Sequence, residues 1–260
     1  MAPAGDRWKY FGVTHRDHLF CNPADEADVE ALIAALNLPA GGRVLDVACG
    51  KGEFLCRLVE RRGVSGVGVD LSPVCVAEAR TKVRERGLEG RIEIVHGDGA
   101  AYEAPAGAFD LASCLGASWI WRGHRGTVRA LRRWTRPGGF VVAGEPFWSR
   151  PPDPAYLAAA ELRADEFADY EGNLRIAAEE GLEEVRSWVS QPPAWDRYEF
   201  LQVGAAESYA REEPLDPDSA EILARVRANW TVYVRWGRET LGWTLHLFRV
   251  PGRVAGAQAG

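Results

Sequence analysis

Three carboxylates lie at or beside the ends of short apolar runs: Asp46 within residues 43–47, Asp70 closing 65–70 and Asp98 closing 91–98. A carboxylate at a strand end can accept hydrogen bonds from the hydroxyls and amines of a bound ligand. Directly after the first run come Ala48, Gly50 and Gly52 around Lys51, then Phe54, Leu55, Leu58 and Val59 at helical spacing. Apolar run, glycine turn and amphipathic stretch read as strand, turn and helix, the opening unit of a nucleotide-binding α/β sheet. Small residues let the backbone approach a ligand, and the helix N-terminus offers free N–H groups. Asp70 follows Gly52 by 18 residues, near the ~20 expected of a ribose-binding carboxylate. Two phosphate-binding patterns fit poorly. A dinucleotide fingerprint needs glycine where Leu55 stands, and a P-loop needs Ser or Thr where Gly52 follows Lys51.

A net charge of −6 and a pI near 5.5 weigh against a general nucleic-acid or membrane-surface binder. No apolar run approaches the roughly 20 residues of a membrane span, and the opening MAPAGDRWKY lacks the apolar core of a signal peptide. A cytoplasmic protein is expected. Cys21, Cys49, Cys56, Cys75 and Cys114 show no CxxC spacing and read as small apolar fillers rather than a disulfide or zinc framework. At 260 residues the chain suits one α/β domain with insertions. The unusual usage is 10 tryptophans against one methionine, several of them outside the expected sheet.

The run VLDVACGKGEF, residues 44–54, resembles motif I of the class I S-adenosylmethionine (SAM) dependent methyltransferases, in which an acidic residue precedes GxGxG. Ala48 replaces the first glycine, which is tolerable only at negative φ. The resemblance extends from Val44 to Glu145 with its landmarks in order, including Arg136-Pro-Gly-Gly139 before an apolar strand. It implies a Rossmann-like, seven-stranded, mostly parallel sheet with an antiparallel last strand, helices on both faces and an inserted helical cap. It also implies SAM as cofactor, held by Asp46, Ala48, Gly50 and Gly52 at the turn. Asp70 would bind the ribose hydroxyls, Leu71 would pack on the adenine, Asp98 would meet the adenine amino group, and Gly99 would leave room for the ring. Leu115 and Gly116 would pass the methionine part.

Around this core the chain reads as an N-terminal arm and helix (1–42), a single domain (43–251) and a small, Gly/Ala-rich, disordered tail (252–260). The arm carries Trp8, Tyr10, Phe11, His15, His18 and Phe20, which either fold over the cofactor or cover a sheet edge. Cap insertions are expected at about 151–170 and 191–240, the second as two long helices at about 194–211 and 217–239.

Methyl transfer from a sulfonium is an in-line displacement that needs an aligned acceptor, a dry pocket and sometimes a base; it requires no metal. Glu145, expected just past the fifth strand, is the first candidate base and His18 of the arm the second. Trp119, Trp121, Trp148, Trp195 and Tyr198 are the candidate substrate walls, able to hold an apolar acceptor or a cationic one. The expected activity is methylation of a small-molecule acceptor, with no nucleic-acid or membrane partner. A nucleic-acid base methyltransferase is the alternative, but the Asn/Asp-Pro-Pro-Tyr motif of those enzymes is replaced by Leu-Gly-Ala-Ser-Trp119. A SAM-binding sensor or partner subunit would carry the same cofactor residues.

Overall fold

The computed structural model describes residues 7–252, so the expected tail lies almost wholly outside the described residues. Seven strands form one sheet in the order β3-β2-β1-β4-β5-β7-β6. They are β1 (Arg43–Val47), β2 (Ser65–Asp70), β3 (Ile92–His96), β4 (Phe109–Leu115), β5 (Thr135–Trp148), β6 (Glu183–Val189) and β7 (Leu241–Arg249). The first five pair in parallel, and β7 runs antiparallel to both β5 and β6. The chain leaves β3 at one edge and returns at β4 beside β1, so the strand order reverses there. That switch point is where an open α/β sheet leaves a crevice at its carboxyl edge.

Helices cover both faces. On one face α2 (Glu26–Ala35), α3 (Glu53–Arg62) and α4 (Pro73–Glu85) bury Leu32, Ile33, Leu55, Leu58 and Val76 in a single cluster. On the other, α5 (His124–Trp134) and α7 (Tyr170–Glu179) bury Val128, Leu131, Trp134 and Ala177. The glycines of β2 have a packing reason: a Cβ on Gly66 would come within 2.6 Å of Leu55 Cδ1, so their absence of side chain lets α3 settle on the strand. Helix α4 begins as its sequence dictates, with the Ser72 hydroxyl accepting from the Cys75 N–H and Pro73 in the first turn.

The cap is made by α6 (Pro154–Ala160), α8 (Pro192–Glu212) and α9 (Ser219–Val232), the last followed by a wide turn at Tyr233–Gly237 and a short one at Arg238–Thr240. The arm, without a readable period in sequence, forms a helix, α1 (Arg7–Thr14), which packs on α8 and α4. Val13 joins Ala206, Ile222 and Val226 in a small apolar cluster, and Lys9 pairs with Asp216 at 2.6 Å and Asp218 at 2.5 Å. Burial against the cap, rather than its own periodicity, makes α1 helical.

The fifth strand departs most from expectation. It was expected to end at Gly144, and it runs on to Trp148. Its parallel partner stops at Leu115, opposite Gly144, but the antiparallel neighbour continues the ladder to Trp148 opposite Leu241. Glu145 is therefore inside the sheet, opposite Thr244, instead of beyond its end.

Glu53, in the first turn of α3 and 2% exposed, joins two helices electrostatically. It receives Arg57 at 2.6 Å, Lys82 at 2.8 Å and Arg86 at 2.7 Å. Burial opposes ionisation, but the hydrogen bonds from Lys82, Arg57 and Arg86 overcome it and hold the carboxyl down at about 2. With the folded pKa below the unfolded one, the stabilisation is present above pH 4.5 and lost as pH falls toward 2. Glu53→Gln should therefore cost about 3 kcal/mol at pH 7. Denaturant titrations should show that the difference from wild type shrinks as pH drops from 4.5 toward 2.

Candidate cofactor and acceptor site

At the carboxyl edge of β1 the chain turns through three left-handed residues at alternate positions, Ala48 (φ 56°), Gly50 (φ 53°) and Gly52 (φ 72°). Ala48 does not meet the condition that its sequence position required, since its φ is positive and its Cβ is strained there. Asp70 holds the turn from the neighbouring strand: Gly50 N–H donates to its Oδ2 and Ser72 N–H to its Oδ1, each at 2.8 Å. Burial raises the Asp70 pKa, and these two donors act against that rise. Asp46 is 3% exposed, with Ser113 Oγ donating to Oδ1 at 2.7 Å. Burial lifts its pKa to about 7.

A cavity of about 390 Å³ lies over this turn. Its floor is Asp46, Ala48, Gly50, Asp70 and Gly99, and its roof is the arm, with Tyr10, Phe11, Phe20 and Asn22. Asn22 Nδ2 donates to the Leu115 carbonyl at 3.1 Å, which sets the arm across the end of β4. Lys51, 7% exposed, ties the turn upward: its Nζ donates to the Arg16 carbonyl at 2.9 Å and pairs with Glu78 at 3.0 Å.

The cavity brings together Asp46, Ala48, Gly50, Asp70, Leu71, Asp98, Gly99, Leu115 and Gly116. Asp98 also caps a one-turn helix, its Oδ1 accepting from the Ala100 N–H at 2.9 Å. Gly52 lies beneath the turn, where a Cβ would press to 3.1 Å on Ala79. Trp119 stands at the rim, 73% exposed. The remaining candidates are elsewhere. Trp121 turns back onto Trp134, ring centroids 6.1 Å apart, because the short helical turn after β4 carries it to the α5 face. Trp148 is buried, its Nε1 donating to the Ala164 carbonyl at 3.0 Å, and so anchors the first cap insertion. Trp195 and Tyr198 line a different cavity in the cap.

Neither candidate base reaches the first cavity. Glu145 is 2% exposed, accepts from Ser118 Oγ at 3.0 Å and faces His124 Nδ1 at 3.7 Å. His18 is buried, its Nε2 2.8 Å from the Tyr198 carbonyl oxygen. The sequence reading missed Asn22 and Cys75 as cavity residues. The aromatic spacing of the arm hinted at a roof but not at which residues form it.

Residues 44–139 match the family model described as "Methyltransferase domain". A SAM-dependent methyltransferase from Geobacter sulfurreducens, crystallised with S-adenosyl-L-homocysteine, superposes with a TM-score of 0.87. It is 30% identical, over 93% of this chain and 98% of that one. The chain belongs to the SAM-dependent methyltransferase family. Its cofactor is SAM. The uncharacterized protein YjhP of Escherichia coli K12 is 30% identical over 90% of this chain and 95% of its own length. The 27-O-demethylrifamycin SV methyltransferase of Amycolatopsis mediterranei is 26% identical over 78% of this chain and 64% of its own.

The residues present fit this cofactor. Asp70 spends one acceptor position of each oxygen on backbone N–H groups and keeps others, and it lines the cavity. A side chain on Gly50 would fill space bounded at 3.7 Å by Cys21 Sγ, another cavity residue, so the glycine keeps that space open.

Two outcomes are expected. Ala48→Gly removes a left-handed alanine and should stabilise by about 0.5–1 kcal/mol after the added chain entropy of glycine, read as a rise of a few degrees, about 1–4 °C, in thermal midpoint. Lys51→Met removes the charged donor that ties the turn to the Arg16 carbonyl of the arm and should speed S-adenosylhomocysteine dissociation about tenfold. Stopped-flow fluorescence would read this, and limited trypsin digestion should cut the arm sooner.

Proposed function

We propose that the chain transfers the methyl group of SAM to a small-molecule acceptor enclosed between the sheet edge, the arm and the helical cap. The observation that carries this reading is the covered cavity at the switch point, with a carboxylate and small residues below and arm aromatics above. Bound SAM supplies a methyl group activated by an adjacent sulfonium. Asp70 would accept hydrogen bonds from the ribose hydroxyls, Leu71 would lie along the adenine with Asp98 at its amino edge, and the turn 48–50 with Leu115 and Gly116 would hold the methionine part. Tyr10, Phe11 and Phe20 would keep water from the reacting centre, where alignment and dryness supply most of the acceleration.

A small acceptor rather than a nucleic acid is supported by the net charge of −6 and by the likeness to a rifamycin methyltransferase. With Glu145 and His18 both committed to partners outside the cavity, the reading assigns neither as a base. Among the described residues no helix is long and apolar enough to cross a membrane. The five free cysteines, four of them buried, favour a reducing, cytoplasmic setting.

Calorimetric titration with SAM and S-adenosylhomocysteine, followed by an acceptor screen with labelled SAM, tests the reading. Asp70→Asn should weaken binding of both by roughly ten- to a hundredfold, because a charge-assisted hydrogen bond contributes ~1.5–3 kcal/mol. An unchanged circular-dichroism spectrum would show the fold intact. Unchanged affinity would remove Asp70 from the cofactor site.

A further inference from the structure

A second cavity, of about 520 Å³, lies within the cap between α6, α8 and α9. Its walls include the rings of Tyr156, Trp195, Tyr198 and Tyr233, with two carboxylates, Glu161 and Glu199, among them. Trp243 touches the walls of both cavities. Its ring approaches Gly116 so closely that a Cβ there would stand 2.6 Å from Cη2, and it packs with Trp195 and Tyr233 in one cluster.

The rings are fixed in place. Trp195 stacks on Tyr233 with centroids 6.1 Å apart and meets Tyr198 edge-on at 6.1 Å. Tyr233 donates to Asp196 at 2.8 Å, which Arg238 also grips through two hydrogen bonds. Tyr198 Oη lies 3.0 Å from His15 Nε2. Glu199, by contrast, forms no hydrogen bond or ion pair with a described residue. Burial alone lifts its pKa to about 7. The guanidinium of Arg225, which also borders the cavity, stands 4.5 Å over the Tyr10 ring. Burial holds His15 at about 3 and pushes His18 below its usual value, so neither imidazole brings a competing positive charge at neutral pH.

A half-buried carboxylate without a partner, ringed by aromatic faces, is complementary to a cation that is itself weakly hydrated. We propose that this second cavity binds an organic ammonium group, the charged anchor of the methyl acceptor. The role as acceptor rests on the methyl-transfer reading; the binding of the cation does not. No bond-making step is assigned to the ammonium itself.

The test uses choline and its neutral isostere 3,3-dimethylbutan-1-ol, titrated calorimetrically into the full chain with and without S-adenosylhomocysteine. Choline should bind about tenfold or more tightly than the isostere, and Glu199→Gln should abolish that preference without changing the affinity for S-adenosylhomocysteine. The preference should also grow as pH rises through about 7, where Glu199 ionises. The other groups facing it do not follow that profile. Tyr10, Tyr156, Tyr198 and Tyr233 all have raised pKa values and stay neutral across that range, and Arg225 and Glu161 are the other charged residues on the cavity wall. Equal binding of the two probes, binding of neither, or a preference that survives Glu199→Gln would overturn the proposal. Choline binding by a chain that ignores S-adenosylhomocysteine would leave the cation site standing and defeat the methyl-transfer reading instead.

Discussion

The carboxylate of Asp70 is the constraint on which the carboxyl edge of the sheet depends. It stands at the end of β2, and its two oxygens hold the N–H groups of Gly50 and Ser72, one from each of the two neighbouring strand-to-helix turns. Charge-assisted hydrogen bonds are stronger than neutral ones, and partial burial strengthens them further. The first bond fixes the course of the turn after β1, which must then pass through left-handed conformations at 48, 50 and 52. The second fixes the start of α4, where the Ser72 hydroxyl completes the cap. One side chain thereby sets the shape of the cavity floor and the directions of α3 and α4.

What lies above the floor is held by different physics. The turn directs Lys51 upward to a carbonyl of the arm, and Asn22 of the arm reaches down to a carbonyl of β4. The far side of the arm is held to the cap by apolar packing of Val13 and by the Lys9 ion pairs. The arm is thus shared between cofactor floor and cap, and the two cavities meet across the aromatic layer that contains Trp243.

Local pattern carried far in some places and failed in others. Asp46, Asp70 and Asp98 were legible because each ends or adjoins a short apolar run, and in a parallel sheet all such ends fall on one edge. Glu145 was misjudged because the length of β5 depends on β7, about a hundred positions later in the chain, whose ladder carries the strand past Gly144. Trp148 shares that cause. Trp121 and Trp119 sit two residues apart, and nothing local indicated that one would pack half-buried against Trp134 and the other be left at the rim. Ala48 stood out in the sequence as a departure, yet the sign of its φ is set in the folded turn, where Gly50 N–H is bonded to Asp70.

The parallel strands β1 to β4, the glycine turn and the carboxylates at the cofactor edge were readable along the chain, because hydrophobic period and turn residues act within a few dozen positions, and the seven-stranded sheet with its antiparallel last strand followed from the resemblance to the methyltransferases. Which aromatics line a cavity, which merely pack, and where Glu145, His18 and Glu199 stand were settled by packing between distant segments. Those outcomes depend on contacts between the arm, the strands and the cap, separated by up to about two hundred positions, and burial of that kind leaves no periodic signature in the chain.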